Sequence, residues 1–357
     1  MNLDDLKKIS QLDSGQVAKS IQLLPDQIRE VLDDARLIKI PTDYSKITNV
    51  VINGMGGSNI GAGIAKSAWS DQIKVPVSII PGYFVPHHVD KNTLYIISSY
   101  SGGTEEPLST YREAKKRGAK IMGLTAHGNK NPLEKLMIKD NVPGYIFKPN
   151  FNPSGQPRLG SGYMIFGIAV LLAKAGLFKI KVREIEDLIA SLEIWNRLLR
   201  PETSQTKNKA KKLARELENK IPVFVGAEFT LGTIRALRNI FCESSKNFAT
   251  YLSLPDLNHF AMEGLANPKE GKRSLAFVFF DSRLYRPRIQ KRSRLTKEVV
   301  KKNGVKVFSH ELGGDNKIIQ SFELLQFGAW VSFYLGMLNN IDPVKIPWVD
   351  WFKQQLK

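Results

Sequence analysis

The amino-acid sequence predicts an α/β fold made of two doubly wound parallel sheets with flanking helices. Two observations lead to this prediction. Short apolar runs alternate with helical segments along the first half of the chain, and this alternation is typical of parallel sheets that are covered by helices on both faces. In addition, a strand that runs into a glycine opens the series and occurs again near residue 221. The second half is therefore predicted to be a diverged copy of the first.

The elements of the first half follow residues 1–45, which are predicted to be a helical lead-in. Strands and helices are then predicted at Val50–Asn53, Ala62–Trp69, Val77–Ile80, Leu94–Ser98, Thr110–Arg117, Lys120–Leu124, Pro132–Met137 and Gly144–Phe147. The most apolar segment, Tyr163–Phe178, is short for a bilayer span and is interrupted by Lys174. It is therefore predicted to be a buried helix.

The second half repeats this pattern with fewer recognisable elements. It begins with the strand Ile221–Gly226 and continues with a helix from Leu231 onward. Two more strands are predicted at Ser274–Phe280 and Lys306–Ser309, and a long apolar helix at Ser321–Leu338.

Length and composition set the limits of the interpretation. A chain of 357 residues is long for one core, which favours two domains. They are predicted at residues 46–200 and 201–357, with the boundary anywhere between 180 and 215. The single cysteine, Cys242, excludes a disulfide framework and fits a reducing cytoplasm. No charged-then-apolar signal pattern occurs at the amino terminus, which also favours a cytoplasmic location.

The net charge of +18 raises the question of a nucleic-acid partner. The basic residues are spread along the chain or lie in helical segments such as Lys207–Lys220, and no aromatic-interleaved RNA motif or zinc-finger spacing accompanies them. A basic field also attracts anionic metabolites. We therefore expect a small anionic ligand and neither nucleic acid nor a membrane as partner.

A hydroxyl-rich turn follows the predicted strand that ends at Ser98. It contains Ser99, Ser101 and Thr104 and leads directly into a helical segment. Hydroxyl groups and the unpaired N–H groups of a helix start together suit a phosphate. The alternative is an ordinary capped helix, because Ser and Thr are common N-cap residues.

A glycine-rich turn, Gly54–Ser58, follows the preceding predicted strand. It contains Gly56 and Gly57, which would allow the backbone to approach an anion closely. The third glycine of a dinucleotide fingerprint is missing from its usual place, and no Gly-Lys-Ser/Thr of a nucleotide loop is present. The two turns therefore predict a small phosphorylated ligand rather than a nucleotide.

Two side chains in the second half could transfer protons. Glu243 follows Ile240, Phe241 and Cys242, which predicts a partly buried carboxylate on a helix that could act as a proton shuttle. His259 lies in a loop without apolar periodicity. The alternatives are a solvated glutamate and a loop histidine without a function. No pair of His or Cys residues has metal-ligand spacing except His87 and His88, and these would chelate a metal poorly because they are adjacent in the chain.

The sequence resembles the bifunctional phosphoglucose/phosphomannose isomerase family, which is built from two sugar-isomerase (SIS) domains. The resemblance runs from about residue 45 to the carboxyl terminus. It rests on motifs in the same order: Gly54–Ser58, Ser99–Glu106 with Gly103 where asparagine is usual, Pro157-Arg158, Asn239 to Glu243, His259, and the tail lysine Lys353. Lys345 is an alternative for that last position.

The resemblance implies that the protein isomerises glucose 6-phosphate to fructose 6-phosphate, and mannose 6-phosphate likewise, through a cis-enediol(ate) without metal or other cofactor. Glu243 would be the base, His259 would open the sugar ring, and Arg158 would stabilise the enediolate together with N–H groups near Gly56 and Gly57. Lys353 completes the catalytic set that the resemblance implies.

The phosphate would be held by the four hydroxyl groups of the two turns, on Ser58, Ser99, Ser101 and Thr104. The family also implies a homodimer with a shared active site, in which the histidine comes from the partner chain. At the tail, Val344 stands near the place where a threonine is associated with use of the mannose epimer. The competing hypothesis is a non-catalytic sugar-phosphate sensor with the same fold, which would retain the turns without the proton-transfer residues.

Overall fold

The computed structural model describes residues 1–356 and contains two α/β units. The first unit is Leu23–Ala190, and the second unit combines Met1–Gln22 with the chain from Ser191 onward. The strands are β1 (Asn49–Asn53), β2 (Val77–Ile80), β3 (Thr93–Ser98), β4 (Lys120–Ala126), β5 (Gly144–Phe147), β6 (Ile221–Ala227), β7 (Thr250–Leu254), β8 (Leu275–Asp281) and β9 (Lys306–Glu311). The helices are α1 (Leu6–Leu12), α2 (Val17–Gln22), α3 (Leu24–Asp34), α4 (Gly56–Ala68), α5 (Glu105–Lys116), α6 (Pro132–Lys139), α7 (Ser161–Lys174), α8 (Val182–Leu199), α9 (Lys209–Glu216), α10 (Leu231–Ile240), α11 (Gly271–Ser274), α12 (Pro287–Lys302), α13 (Lys317–Leu338) and α14 (Pro347–Gln355).

The first unit is built on a parallel sheet of five strands in the order β2-β1-β3-β4-β5. Every residue of β3 is buried, which is expected for a central strand that is covered by helices on both faces. Helix α7 is buried from Ser161 to Leu172, so the predicted buried helix is confirmed. The α/β prediction with parallel sheets is confirmed as well.

The second unit contains a parallel sheet of four strands in the order β7-β6-β8-β9. Counted along each unit, both sheets follow the order 2-1-3-4, and the first adds β5 at its edge. The repeated strand-then-glycine pattern therefore corresponds to a repeated topology.

Strand β7 and the helices α11 and α12 of the second unit were absent from the sequence prediction, and α11 has only four residues. Strand β7 is an edge strand with only Leu254 fully buried, so its sequence lacks the apolar run of a central strand. Helix α12 is strongly basic and buries only Ile289, Ser293, Thr296 and Val300. This apolar stripe is too narrow to stand out as a helical period.

Ion pairing explains why the first 22 residues lie in the second unit. The fully buried Nζ of Lys211, on α9, lies 2.9 Å from Oδ1 of Asp4 and donates to the carbonyl oxygen of Pro201 at 2.7 Å. The backbone N–H of Gln205 also donates to Asp4. The domain limits predicted from the sequence, at residues 45 and 200, stay a prediction.

The turn after β3 depends on a glycine that is packed against an asparagine. Gly102 has φ +68°, and a Cβ atom at this position would lie 1.7 Å from Oδ1 of Asn131. That same Oδ1 caps α6 by accepting from the backbone N–H of Glu134 at 2.9 Å. At the next residue, Gly103, the nearest obstacle to a Cβ is Cδ of Pro132 at 4.0 Å. The structure therefore requires glycine at 102 and leaves room for a side chain at 103.

We predict that Gly102→Ala lowers the free energy of unfolding by about 2 kcal/mol or more, because strain at positive φ adds to the clash with Asn131. Gly103→Ala is the matched control and should change the free energy of unfolding by less than about 0.5 kcal/mol. Urea denaturation of both variants measures the difference, and equal stabilities would contradict the proposed packing constraint.

A carboxylate that caps α2 lies close to the segment after α13. Asp13 accepts from the N–H groups of Val17 and Ala18 at 2.7 and 2.9 Å. Ser14 donates to Oδ2 of Asp342 at 2.9 Å. Burial raises the pKa of Asp13 to about 6 from the ordinary 3.8, and the negative charge of Asp342 contributes in the same direction. The folded protein therefore binds a proton at Asp13 more tightly than the unfolded chain does.

From this pKa we predict that Asp13 favours the folded state increasingly as the pH falls from about 7 to about 4, because the folded state then holds more protons. The melting temperature of the wild type, relative to that of Asp13→Asn, should accordingly rise over this interval. Asp5→Asn removes the charge of the exposed carboxylate that caps α1 while its amide oxygen can still accept, and it is the control for losing a negative charge at a helix start. A difference between wild type and Asp13→Asn that stays constant with pH would be evidence against the prediction.

Candidate active site

The two polar turns of the first unit lie at one edge of its sheet. They follow β1 and β3, which are adjacent parallel strands, and ligands of such sheets bind at the carboxyl ends of the strands. The backbone N–H of Tyr100 donates to Oγ of Ser58 at 2.9 Å. This hydrogen bond is buried and joins the two turns directly, so the structure brings both predicted phosphate-binding segments together.

The glycine-rich turn is shaped by close packing. A Cβ on Gly54 would lie 2.8 Å from the carbonyl oxygen of Ser98, and one on Gly57 would lie 2.9 Å from the carbonyl carbon of Pro157. Gly56 has φ +48°. Helix α4 starts at this residue, and its N-cap residue Met55 makes no side-chain cap hydrogen bond. The N–H groups of Gly56 and Gly57 precede the first backbone hydrogen bond of the helix, which runs from Ser58 to Met55, and such helix starts suit an anion.

The hydroxyl-rich turn is not an ordinary capped helix start. Thr104 occupies the N-cap position of α5 but makes no side-chain cap hydrogen bond. Its Oγ1 lies 2.8 Å from Oγ of Ser99 instead. Ser99 is buried, whereas Ser101 is exposed. The hydroxyl groups of the turn therefore range from buried, at Ser99, to exposed, at Ser101.

Arg158 lies in a 3-10 helix, Pro157–Leu159, immediately before α7. Its side chain is buried, with 2% of the residue exposed, and Nη1 donates to Oε1 of Gln156 at 2.8 Å. Because Pro157 abuts Gly57, the segment that carries this guanidinium packs against the glycine-rich turn. A buried positive charge beside an anion-binding turn can stabilise negative charge on a ligand.

Glu243 lies in a π-helical turn, Phe241–Ser245, that follows α10 directly in the second unit. The residue is half-buried, and the turn ends at Lys246, which has φ +51°. Helix α13 packs closely here, since a Cβ on Gly336 would lie 3.0 Å from the carbonyl oxygen of Ser244. Single π turns within helices are frequent at functional sites. Sequence reasoning placed Glu243 on a partly buried helix but gave no sign of the π turn.

His259 is the last residue of a 3-10 helix, Asp256–His259, and its side chain is exposed. The neighbouring Leu257 is 1% exposed and belongs to the core that Ile289 of α12 also enters. His259 is thus exposed at the end of a short helix that is anchored in the core of the second unit by Leu257, two residues earlier.

The tail lysines lie in different settings. Lys353 is exposed on α14, a helix without buried residues. Lys345 lies in the preceding loop, and its Nζ is 3.6 Å from Oδ2 of Asp342. Val344 packs against the amino-terminal segment, because a Cβ on Gly15 would lie 2.5 Å from Cγ2 of Val344.

The corresponding strand ends of the second unit are filled by its own side chains. After β6, Glu228 has φ +48°, the same value as Gly56 after β1. The hydroxyl of Tyr285 lies 2.6 Å from Oγ1 of Thr230 and accepts from the N–H of Ala227 at 3.3 Å. This turn therefore has little capacity left for a phosphate. No pattern in the sequence indicates this difference between the two units.

Nor do residues 1–356 contain a cluster of three or more His, Cys, Asp or Glu side chains that could hold a metal ion. Over the same range, the helices are all too short or too polar to cross a membrane.

Comparisons with solved structures agree with this architecture. A hypothetical protein from Thermus thermophilus superposes with a TM-score of 0.74 at 15% identity, covering 98% of this chain and 93% of that one. A glucose-6-phosphate isomerase like protein from the same organism gives a TM-score of 0.60 at 17% identity, with 99% of both chains covered. At these identities the likeness concerns the fold alone.

Comparisons of sequence go further. The family model for the bacterial phospho-glucose isomerase C-terminal SIS domain matches residues 206–356. A bifunctional phosphoglucose/phosphomannose isomerase of Aquifex aeolicus is 29% identical over 89% of this chain and 93% of its own length. The enzyme of the same name from Caldicellulosiruptor bescii is 33% identical over 342 residues, which cover 95% of this chain and 98% of that protein. The chain therefore belongs to the bifunctional phosphoglucose/phosphomannose isomerase family.

Proposed function

We propose that this protein interconverts glucose 6-phosphate and fructose 6-phosphate, and mannose 6-phosphate and fructose 6-phosphate. Membership of a family whose curated members bear both activities in their name supports the proposal. The observation that carries it in the structure is the pair of hydroxyl-lined turns, joined by the hydrogen bond between Tyr100 and Ser58, at the carboxyl ends of β1 and β3. This arrangement suits the phosphate group that the three sugars share.

In the proposed complex the phosphate accepts hydrogen bonds from the hydroxyl groups on Ser58, Ser99, Ser101 and Thr104. The phosphate does not react. Its role is to hold the sugar at a fixed distance from the groups that do, which turns binding energy into orientation.

Ring opening is the first chemical step. The proton of the C1 hydroxyl leaves, the bond between C1 and the ring oxygen breaks, and the ring oxygen gains a proton. An imidazole can give and take protons near neutral pH, so we assign this step to His259, whose exposed side chain is accessible to a ligand.

Isomerisation of the open chain is the second step. Glu243 removes the proton from C2 and returns it to C1, while the hydroxyl proton on O2 passes to O1, so that the C1 aldehyde becomes a hydroxyl and the C2 hydroxyl becomes a ketone. A single carboxylate can serve both adjacent carbons. The intermediate enediolate is negatively charged, and we assign its stabilisation to Arg158 together with the N–H groups of the glycine-rich turn. Lys353 is the tail lysine of the proposed site. Since these groups supply the acid, the base and the positive charge, the proposed reaction needs no metal ion.

A sugar-phosphate sensor with the same fold is the second candidate. Such a protein would need the two turns but neither a base nor a ring-opening acid. Glu243 and His259 are both present at the family's spacing, which favours the enzyme. A reducing compartment such as the cytoplasm is part of the proposal and is supported by the single cysteine, Cys242.

The assignment of Glu243 is tested with Glu243→Gln, which retains shape and hydrogen bonding but removes the base. Turnover of glucose 6-phosphate should fall by about a hundredfold or more, on the usual scale of general-base catalysis, with substrate affinity nearly unchanged. Glu298→Gln, which changes an exposed glutamate on α12, is the control. A coupled assay with glucose 6-phosphate and with mannose 6-phosphate measures both activities, and near-normal turnover by Glu243→Gln would exclude this residue as the base.

The exposure of His259 also supports a homodimer in which each histidine acts on substrate in the partner chain. We predict that mixing Glu243→Gln chains with His259→Ala chains restores activity, because one site of each mixed dimer then has both groups intact. Random assortment should give about a quarter of the wild-type activity. Mixing Glu243→Gln with the double variant cannot restore an intact site and is the control. Recovery no greater than in this control would place both residues of a site in one chain.

A further inference from the structure

The residue before His259 is held by helix α12. Oδ1 of Asn258 accepts from Nη1 of Arg292 at 3.1 Å, and Nδ2 of Asn258 donates to Oγ1 of Thr296 at 2.7 Å. Both ends of one amide are therefore bound to a single helix. The contacts span 34 and 38 residues along the chain, so they are tertiary contacts and not the local bonds of a turn.

The acceptor on α12, the hydroxyl of Thr296, is buried and held by a hydrogen bond of its own. Thr296 is 1% exposed, and its hydroxyl donates to the carbonyl oxygen of Arg292 at 2.8 Å while it accepts from Asn258. The hydroxyl thus has its donor and one acceptor position used. Leu257, just before Asn258, and Ile289, one turn before Arg292, belong to the same hydrophobic core, which holds the short 3-10 helix and α12 together.

The imidazole itself has no comparable support. Within the part of the chain that the structure describes, no hydrogen bond or ion pair involves the side chain of His259, which is exposed. Its position is consequently set by the backbone of residues 256–259. The contacts that fix Asn258 therefore also set the orientation of the Cα–Cβ bond of His259.

We propose that Asn258, held by Thr296 and Arg292, is a positioning residue that sets the orientation of His259 for ring opening. The inference rests on the proposed function, because it assumes that His259 opens the ring. Asn258 acts through the backbone of its neighbour and contacts no reacting atom. Because a displacement of about 1 Å at a reacting group can cost up to about a hundredfold in rate, loss of the amide contact should be visible in that step.

Ring opening can be measured apart from isomerisation. The α and β anomers of glucose 6-phosphate interconvert through the open chain, and NMR exchange spectroscopy measures this rate directly. In the Glu243→Gln variant, proton transfer at carbon is blocked. The rate of anomer exchange above that of the free sugar phosphate therefore reports ring opening alone. His259→Ala in this background gives the rate without the histidine.

Thr296→Val and Thr296→Ser form a matched pair in this background. Valine matches the size of threonine but removes the Oγ1 acceptor, which leaves Nδ2 of Asn258 only its longer contact with Sδ of Met262 at 3.7 Å, whereas serine retains the hydroxyl. We expect Thr296→Val to slow anomer exchange about tenfold or more and Thr296→Ser to restore most of the rate. The dissociation constant for glucose 6-phosphate should be the same in both, since the phosphate-binding turns are unchanged. Asn258→Ala gives a second measurement if Thr296→Val does not fold.

Two results would overturn the positioning role while leaving ring opening by His259 intact. One is an equal rate of anomer exchange in Thr296→Val and Thr296→Ser. The other is a further loss of rate when Asn258→Ala is added to His259→Ala. If Glu243→Gln itself catalyses no anomer exchange, or if His259→Ala leaves the exchange unchanged, then ring opening by His259 is wrong and the positioning role fails with it. The two failures are therefore distinguishable by the behaviour of the background protein.

Discussion

One buried hydrogen bond, from the backbone N–H of Tyr100 to Oγ of Ser58, determines how the first unit arranges the two polar turns at the carboxyl ends of its strands. It ties the turn after β1 to the turn after β3, so that two helix starts and several hydroxyl groups face the same space. The approach is possible because Gly54 and Gly57 have no Cβ atoms to meet Ser98 and Pro157. A phosphate bound here would meet donors whose positions are already fixed, which lowers the cost of ordering them on binding.

The two units share a topology but differ in how the turns at their strand ends are filled. Both sheets have the strand order 2-1-3-4 within their units. After β1 the chain uses glycine at positive φ, whereas after β6 it places Glu228 at a similar φ and fills the turn with the hydroxyl of Tyr285. Farther along the same edge, Oε2 of Glu323 accepts from the N–H groups of Gly313 and Gly314 at 2.9 and 3.0 Å. A carboxylate of the protein thus satisfies backbone donors that could otherwise bind an external anion.

The second unit instead contributes the groups to which we assign proton transfer, and both lie on irregular short helices. Glu243 is in a π-helical turn and His259 ends a 3-10 helix. Such segments lack the regular i→i+4 hydrogen bonds of an α-helix, so their geometry has to be supported from elsewhere. Helix α13 packs closely against the first, and α12 binds Asn258 next to the second. Long regular helices thereby give fixed positions to residues whose local backbone is irregular.

The sequence by itself determined the fold class, the parallel sheets, the repeat and the identity of the polar turns, because apolar periodicity and glycine placement are local signals. Strand β7 and helix α12 could not be predicted, since an edge strand and a largely solvated basic helix lack a strong apolar pattern. Only the tertiary structure decided that the Thr104 side chain pairs with Ser99 and makes no cap hydrogen bond. The same is true of the packing of Asn131 against Gly102, which requires glycine there, and of the contact between Asn258 and α12. These outcomes depend on atoms that are distant in the chain and meet only when the core has formed, so no local pattern carries them.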